Sequence, residues 1–226
     1  TVNQTEATNA LTKEGITPTT GQTVRIVVQT YMNINIKNVD TTSADKKTLS
    51  LDITPMYRTV ATTANTDNAI KLTGDSLTDA NAVPVGPAGK LTVNKPVTVK
   101  IPLPANFVTQ KSDGSYDNIY VQHKGYEYTA SVSNQSGTLY ATFTNPHGFS
   151  TFTITTEQTA VATLNGVNYT SFQDAVNAAH NGDVITVLKD NLSATMSGSS
   201  RTITVKSSTG TLNVSVNGET KTANTN

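Results

Sequence analysis

Every second residue is apolar over long stretches of this chain, and that period of two dictates strands rather than helices. "TVRIVVQTYMNINIKNV" places Val24, Ile26 and Val28 on one face, and Met32, Ile34 and Ile36 continue the alternation. "KTLSLDITPMY" repeats it with Leu49, Leu51 and Ile53, and Pro55 is expected to end that strand or mark a bulge. "NAIKLTG" reads as a short strand, and "DANAVPVGPAGK" as a Pro/Gly loop. Val97, Val99, Ile101 and Leu103 alternate in "KLTVNKPVTVKIPLP", where Pro102 and Pro104 interrupt the hydrogen-bond ladder, as at an edge or a strand end. Two more strand-rich stretches, "NIYVQHKGYEYTASV" and "TLYATFTNPHGFSTFTITT", complete the series. About seven to nine short strands separated by turn signals predict a mainly β fold, an Ig-like antiparallel β-sandwich.

Composition narrows the setting. The 226 residues include 42 threonines, with only 35% hydrophobic and 14% charged residues. Threonine suits solvent-facing strand positions, because its branched Cβ is already stiff and its hydroxyl stays hydrated. With no cysteine there is no disulfide framework and no thiolate chemistry. A formal net charge of zero argues against a nucleic-acid or anionic-membrane partner. No apolar run reaches the length of a membrane span, and no signal peptide is visible. The opening "TVNQTEATNALTKEG" reads as the start of a mature or trimmed piece of a larger protein, and the first twenty residues as a linker or loosely held edge. A Thr/Asn/Ser-rich, cysteine-free β-protein fits an extracellular, Gram-positive cell-surface or cell-wall location.

"KPVTVKIPLPANF…DNIYVQHKGYEYTASVSNQSGTLYATFTNPHGFSTFTI", Lys95 to Ile154, resembles a β-sandwich module of clostridial and gut Gram-positive surface proteins. In that family a VTVxIPLP strand is followed by a polar meander and a closing strand ending in GFSTF. The resemblance implies a non-catalytic structural or adhesin-like module, a spacer between neighbouring domains of a longer wall-attached chain.

A second pattern begins after "TTEQTA". "AVATLNGVNY" reads as a hairpin turning on Asn165-Gly166. In "YTSFQDAVNAAHNGDVITVLKD", Thr170 or Ser171 can cap a helix, Asp174 sits in its first turn, and Phe172, Ala175, Val176 and Ala179 form one apolar stripe. Asn181-Gly182 supplies a left-handed stop, His180 falls in the last turn, and "VITVL" reads as a strand buried on both faces. Tyr169 to Val187 is similar to the N-terminal capping turn of right-handed parallel β-helices. The expected organisation is therefore a sandwich over 1–157 and a small α+β unit with a β-helix-like cap over 158–226. Fewer than forty residues follow Asp190, room for one or two coils and not for a catalytic groove.

No catalytic residue, metal site or cofactor motif is read from the sequence. The three histidines lack metal-ligand spacing; His147 reads as a turn residue and His123 as exposed. "KSDGSYDN", with Asp113 and Asp117, and "NTDNAIKLTGDS" suggest calcium loops but lack a full ligand set. Sequons at Asn3, Asn134, Asn168, Asn191 and Asn213 are expected by chance in so Thr/Ser-rich a chain. A Lys–Asn isopeptide cross-link would need a buried acid beside both partners, and no diagnostic motif for one is present. Tyr116, Tyr120, Tyr126, Tyr128 and Tyr140 cluster in sequence and are the candidate ligand-binding residues, as a sugar-stacking face. They carry the alternative to a structural role, a carbohydrate-binding module for host or cell-wall glycans. Host or cell-wall proteins are the other expected partners, and a fragment of a polysaccharide-processing β-helix enzyme is the remaining alternative.

Overall fold

A computed structural model describes residues 1–65, 72–73, 76–77, 81–198 and 200–226, with backbone alone at 72–73 and 76–77. The chain is mainly β, with antiparallel and parallel strand pairs. Two compact units are present. One comprises Thr1–Ile36, Leu51–Lys95 and Gly148–Thr151, the other Lys37–Ser50, Pro96–His147 and Phe152–Asn226. The division at 157 read from the sequence is not the line between them, since the residues on both sides of Glu157 lie in the second unit.

The first unit opens with helix α1, Gln4–Lys13, where the sequence suggests a loose edge. Asn3 caps it: its side-chain oxygen accepts from Glu6 N at 2.9 Å, and the Glu6 carboxylate accepts from Asn3 N at 2.8 Å. Val2, Ala7 and Leu11 pack in one cluster with Ala61 and Val83. At the other end Ile16 N donates to Leu11 O and Gly15 N to Thr12 O, with Gly15 at φ 72°, which makes a Schellman stop.

Strands β1 (Arg25–Asp40) and β2 (Thr48–Thr62) run through this unit and on into the second. β3 (Leu72–Thr73) and β4 (Ser76–Leu77) form a minimal hairpin. The rest of the expected "NAIKLTG" strand, 68–71 and Gly74, lies outside the described residues, as does most of "NTDNAIKLTGDS". The expected Pro/Gly loop instead contributes β5 (Ala82–Pro84) and β6 (Gly89–Lys90), both paired antiparallel with β2. Leu51 and Ile53 are buried as predicted. β2 does not stop at Pro55, whose carbonyl accepts from Leu91 N at 2.9 Å. Two residues earlier Ile53 N donates to Ser150 O at 3.0 Å, a bond that the proline, lacking an N–H, cannot repeat. Val28, Ile34 and Ile36, which the alternation places on one face, are exposed on β1, the outermost strand of its sheet.

In the second unit the expected alternation is met at β7 (Val97–Pro102), where Val99 and Ile101 are buried and Leu103 follows them inward. Next come β8 (Ile119–His123), β9 (Tyr126–Gln135), β10 (Thr138–Asn145) and β11 (Thr151–Thr155). β9 serves two partners along its length: Tyr126 to Ala130 pair with β8, and Ser131 to Gln135 pair with β10. β12 (Ala162–Leu164) and β13 (Val167–Tyr169) form the predicted hairpin, with Asn165 at φ 50° and Gly166 at φ 80°, as a type I′ turn demands. The free edge at the start of β9 then takes β13, with Tyr169 opposite Tyr126 and Asn168 opposite Glu127. That pairing joins the hairpin that follows Glu157 to the ladder that precedes it.

Helix α2 spans Phe172–Ala178, with Ser171 as its cap, and buries Phe172, Ala175 and Val176. It ends earlier than Asn181-Gly182: Ala179 is already extended, and His180 lies beyond the last turn. Arg201 satisfies the open C-terminal carbonyls instead, donating to Val176 O and Ala179 O. β14 (Val184–Val187) is buried on one face only, since Val184 is exposed while Ile185 and Val187 are fully covered. The remaining strands are β15 (Leu192–Ala194), β16 (Thr204–Ser207), β17 (Leu212–Val216) and β18 (Glu219–Ala223). Here pairing turns parallel: Val184 stands beside Thr204 and Leu192 beside Val214, so each step advances the chain by 20 or 22 residues. Phe172, Val176, Ile185, Val187 and Val214 share one buried cluster.

Phe172→Ala should cost about 3–5 kcal/mol and Val176→Ala somewhat less, by opening a cavity in that cluster. Asp174→Ala should cost less than about 1 kcal/mol, since it removes only a first-turn dipole contact. Thermal melts of the three variants provide the check, and the loss should appear in the transition of the whole second unit. An early, separate transition confined to 158–226 would restore the division at 157.

Candidate functional site

Cross-strand register decides where the five tyrosines point. Paired residues share a face, so Tyr126 and Tyr128 stand with His123, Val121 and Ile119 on one side of the β8–β9 ladder. Tyr120 pairs with Thr129 and faces the other way. Tyr140 lies on β10 beneath the ammonium of Lys100, 4.6 Å from its ring centre. Tyr116 accepts from Asn134 Nδ2 at 3.5 Å. The sequence cluster is thus several separate places and not one stacking face.

Tyr126 and Tyr128 belong to an aromatic and imidazole stack. Tyr126 lies 3.6 Å from His147, nearly parallel to it, and 5.2 Å from Tyr169. Tyr128 packs on His147 and Phe143, and its hydroxyl reaches His147 Nδ1 at 2.7 Å and Asn145 Oδ1 at 3.1 Å. His123 is buried against Phe152, its ring centre 3.8 Å away, and not exposed as the sequence suggests. Alternation does place it there, because His123 continues the inward face of Ile119 and Val121; its polarity is what suggests exposure. Burial raises the Tyr128 phenol above its ordinary value and holds the His147 imidazole below its own, with His123 and Lys124 adding to the latter effect. Both shifts favour the neutral form, which suits packing more than proton transfer.

A second site was not visible in the sequence. Glu127 alternates to the opposite face from Tyr126 and Tyr128, where a charged residue would ordinarily meet water. It is 3% exposed, because residues 156–161 cross above it. Its Oε2 accepts from Thr159 N at 2.6 Å, Ala160 N at 2.8 Å and Thr159 Oγ1 at 3.1 Å. Its Oε1 is buried with no hydrogen-bond partner. Gln122, opposite Glu127 on β8, donates from Nε2 to Thr159 Oγ1 at 2.5 Å.

The proposed calcium loop is otherwise engaged. Asp113 accepts from Ser115 N and Oγ, and Lys111 pairs with Asp117. Among the described residues no group of three or more His, Asp or Glu side chains is placed to hold a metal, and no lysine is fully buried. Two surface clefts deserve naming for their chemistry. One, about 390 Å³, is lined by Tyr116, Asn106, Gln110 and Asn134. The other, about 410 Å³, is bordered by Val176, Met196, Ile203, Val205 and Val214.

His147 gives the unit a pH dependence with a definite sign. Its folded value lies below the ordinary 6.5, so the unfolded chain binds the proton more readily. The stabilisation is complete above that value and is lost as pH falls from there through the lower folded value. NMR titration of the His147 ring should give a midpoint below 6.5, and in His147→Phe the loss of thermal stability on acidification should shrink. An unchanged pH dependence in that variant would remove His147 from the account. No protein-family model, curated protein or solved structure matches this chain, so its function is argued from the geometry above.

Proposed function

We propose that this chain is a non-catalytic structural, adhesin-like segment of a secreted or cell-wall-attached bacterial surface protein. In this reading an antiparallel, Ig-like sandwich leads directly into the capped beginning of a β-helix-like coil. The observation that carries it is the β9–β13 pairing, which joins the antiparallel ladder to the strands that pair in parallel at steps of 20 and 22 residues. A part that transmits tension between neighbouring domains needs such continuity, because a hinge at 157 would yield first. The apolar face of α2, turned to the cluster of Ile185, Val187 and Val214, supports the role of a cap that blunts the end of the coil. The low charge and threonine-rich composition support an extracellular setting.

One observation favours a second reading, a carbohydrate-binding module. The cleft around Tyr116 is lined by one tyrosine and three carboxamide residues, the kinds of residue that stack on and hydrogen-bond to a sugar.

Two measurements separate these readings. Under subtilisin the β9–β13 seam should remain uncut, and no polysaccharide should be turned over. Rapid cleavage between Glu157 and Thr163, or measurable turnover, would defeat the structural reading. Titration with cell-wall and host oligosaccharides should give no saturable binding; saturable binding that is lost in Tyr116→Ala would establish the second reading instead.

A further inference from the structure

A third cleft, about 380 Å³, opens where the β8–β9 turn meets helix α2. Lys124 comes from the turn, Tyr126 and Tyr169 from the paired strands β9 and β13, and Asp174, Asn177 and Ala178 from the helix. The turn and the helix start are fastened together, because Thr170 donates from N and Oγ1 to Gly125 O at 2.9 and 3.1 Å. Asp174 lies so near Gly125 that a Cβ there would meet its carboxylate at 2.7 Å. Lys124 holds a left-handed φ of 51°, a conformation that costs free energy in a residue with a Cβ. The cleft is thus preformed on elements that hold one another in place.

Opposite charges line this cleft without pairing. Among the described residues neither the Asp174 carboxylate nor the Lys124 ammonium has an ion-pair or hydrogen-bond partner. Tyr169 gives a second, independent sign. It is only 7% exposed, yet its hydroxyl makes no hydrogen bond within the chain, and a buried phenol ordinarily finds one. Its ring is tilted 49° to that of Tyr126 with the centres 5.2 Å apart, so two aromatic rings border a carboxylate, a surface that attracts an ammonium. Asn177 Oδ1 is taken by Gln173 Nε2 at 2.9 Å, which leaves Asn177 Nδ2 to donate. Ala178 adds an apolar side chain.

We propose that this cleft binds a small zwitterion, an apolar α-amino acid or a dipeptide of such residues. The ammonium goes to Asp174 beside the two phenols, the carboxylate to Lys124 and Asn177 Nδ2, and the side chain against Ala178. A ligand with one charge would leave the opposite protein charge unmatched and less hydrated, so the pair of charges selects for a zwitterion. The volume falls in the range of small-molecule sites. This goes beyond the structural reading and does not rest on it, because the six residues suffice whatever the parent protein is.

The test is calorimetric titration of the full chain with L-alanine, L-leucine and L-alanyl-L-alanine, with NMR of the Tyr126 and Tyr169 rings as the local readout. At least one should bind saturably, with a Kd of about 1 mM or lower, and shift both ring signals. Which of them binds most tightly distinguishes a free amino acid from a peptide. The N-acetyl derivative of the ligand lacks the ammonium and its methyl ester lacks the carboxylate. Each should bind at least about tenfold more weakly. Asp174→Asn and Lys124→Asn should weaken the unmodified ligand by a similar factor. Both variants should keep the melting temperature, since neither side chain has a partner to lose and asparagine tolerates the left-handed turn better than lysine. No saturable binding of any of the three compounds in that range overturns the proposal. So does binding that the N-acetyl and ester compounds match, or that both variants leave unchanged.

Discussion

The second unit depends on two residues that are paired on both sides. Tyr126 and Glu127 face His123 and Gln122 of β8 on one edge and Tyr169 and Asn168 of β13 on the other. From these two positions the side chains then extend the join in opposite directions. Tyr126 carries the stack to His147 and Tyr169, and Glu127 gathers the crossing segment through Thr159 and Ala160. Removing the carboxylate would leave the buried Ala160 N–H without a partner, at a cost of about 1–3 kcal/mol. Lys124-Gly125, just before them, makes the tight turn that brings β8 and β9 into register, with φ values of 51° and 82°. A lysine in that left-handed position is unusual, and the glycine beside it admits the Asp174 carboxylate, which a Cβ would meet at 2.7 Å.

Local signals were legible where they were strong and short-range. Alternation located the buried faces of β2 and β7, Asn165-Gly166 announced its turn, and Ser171 was a readable cap. The same rules, fully applied, also find α1: Asn3 and Glu6 make a capping box, and Gly15-Ile16 a Schellman end. It is missed when polarity is weighed above caps, because Ala7 and Leu11 are its only buried residues. Burial was the less legible quantity. Glu127 alternates away from the apolar face, and nothing near it in sequence says that Thr159 and Ala160 will cover it. The tyrosines failed as a group for the same reason, since register, and not proximity in sequence, decides which share a face.

Register also recasts the threonine content. Thr153 stands opposite Gln122, Gln122 opposite Glu127, Glu127 opposite Asn168, Asn168 opposite Thr163, Thr163 opposite Thr186, and Thr186 opposite Lys206. Ser50 extends the series, with its hydroxyl 3.1 Å from that of Thr153. One row of polar side chains therefore crosses eight strands, and apart from buried Glu127 its members are half-buried. Threonine in such a row is not merely a hydrated surface residue. Its hydroxyl can donate to one neighbour, as Thr163 does to Asn168, and accept from the next, as Thr159 does from Gln122. A half-buried sheet face can thus satisfy its polar groups laterally, without paired charges and their desolvation cost. A fold built this way needs few ionic residues and no cysteine. Its cohesion then rests on strand register, because a one-residue slip would turn the whole row to the other face.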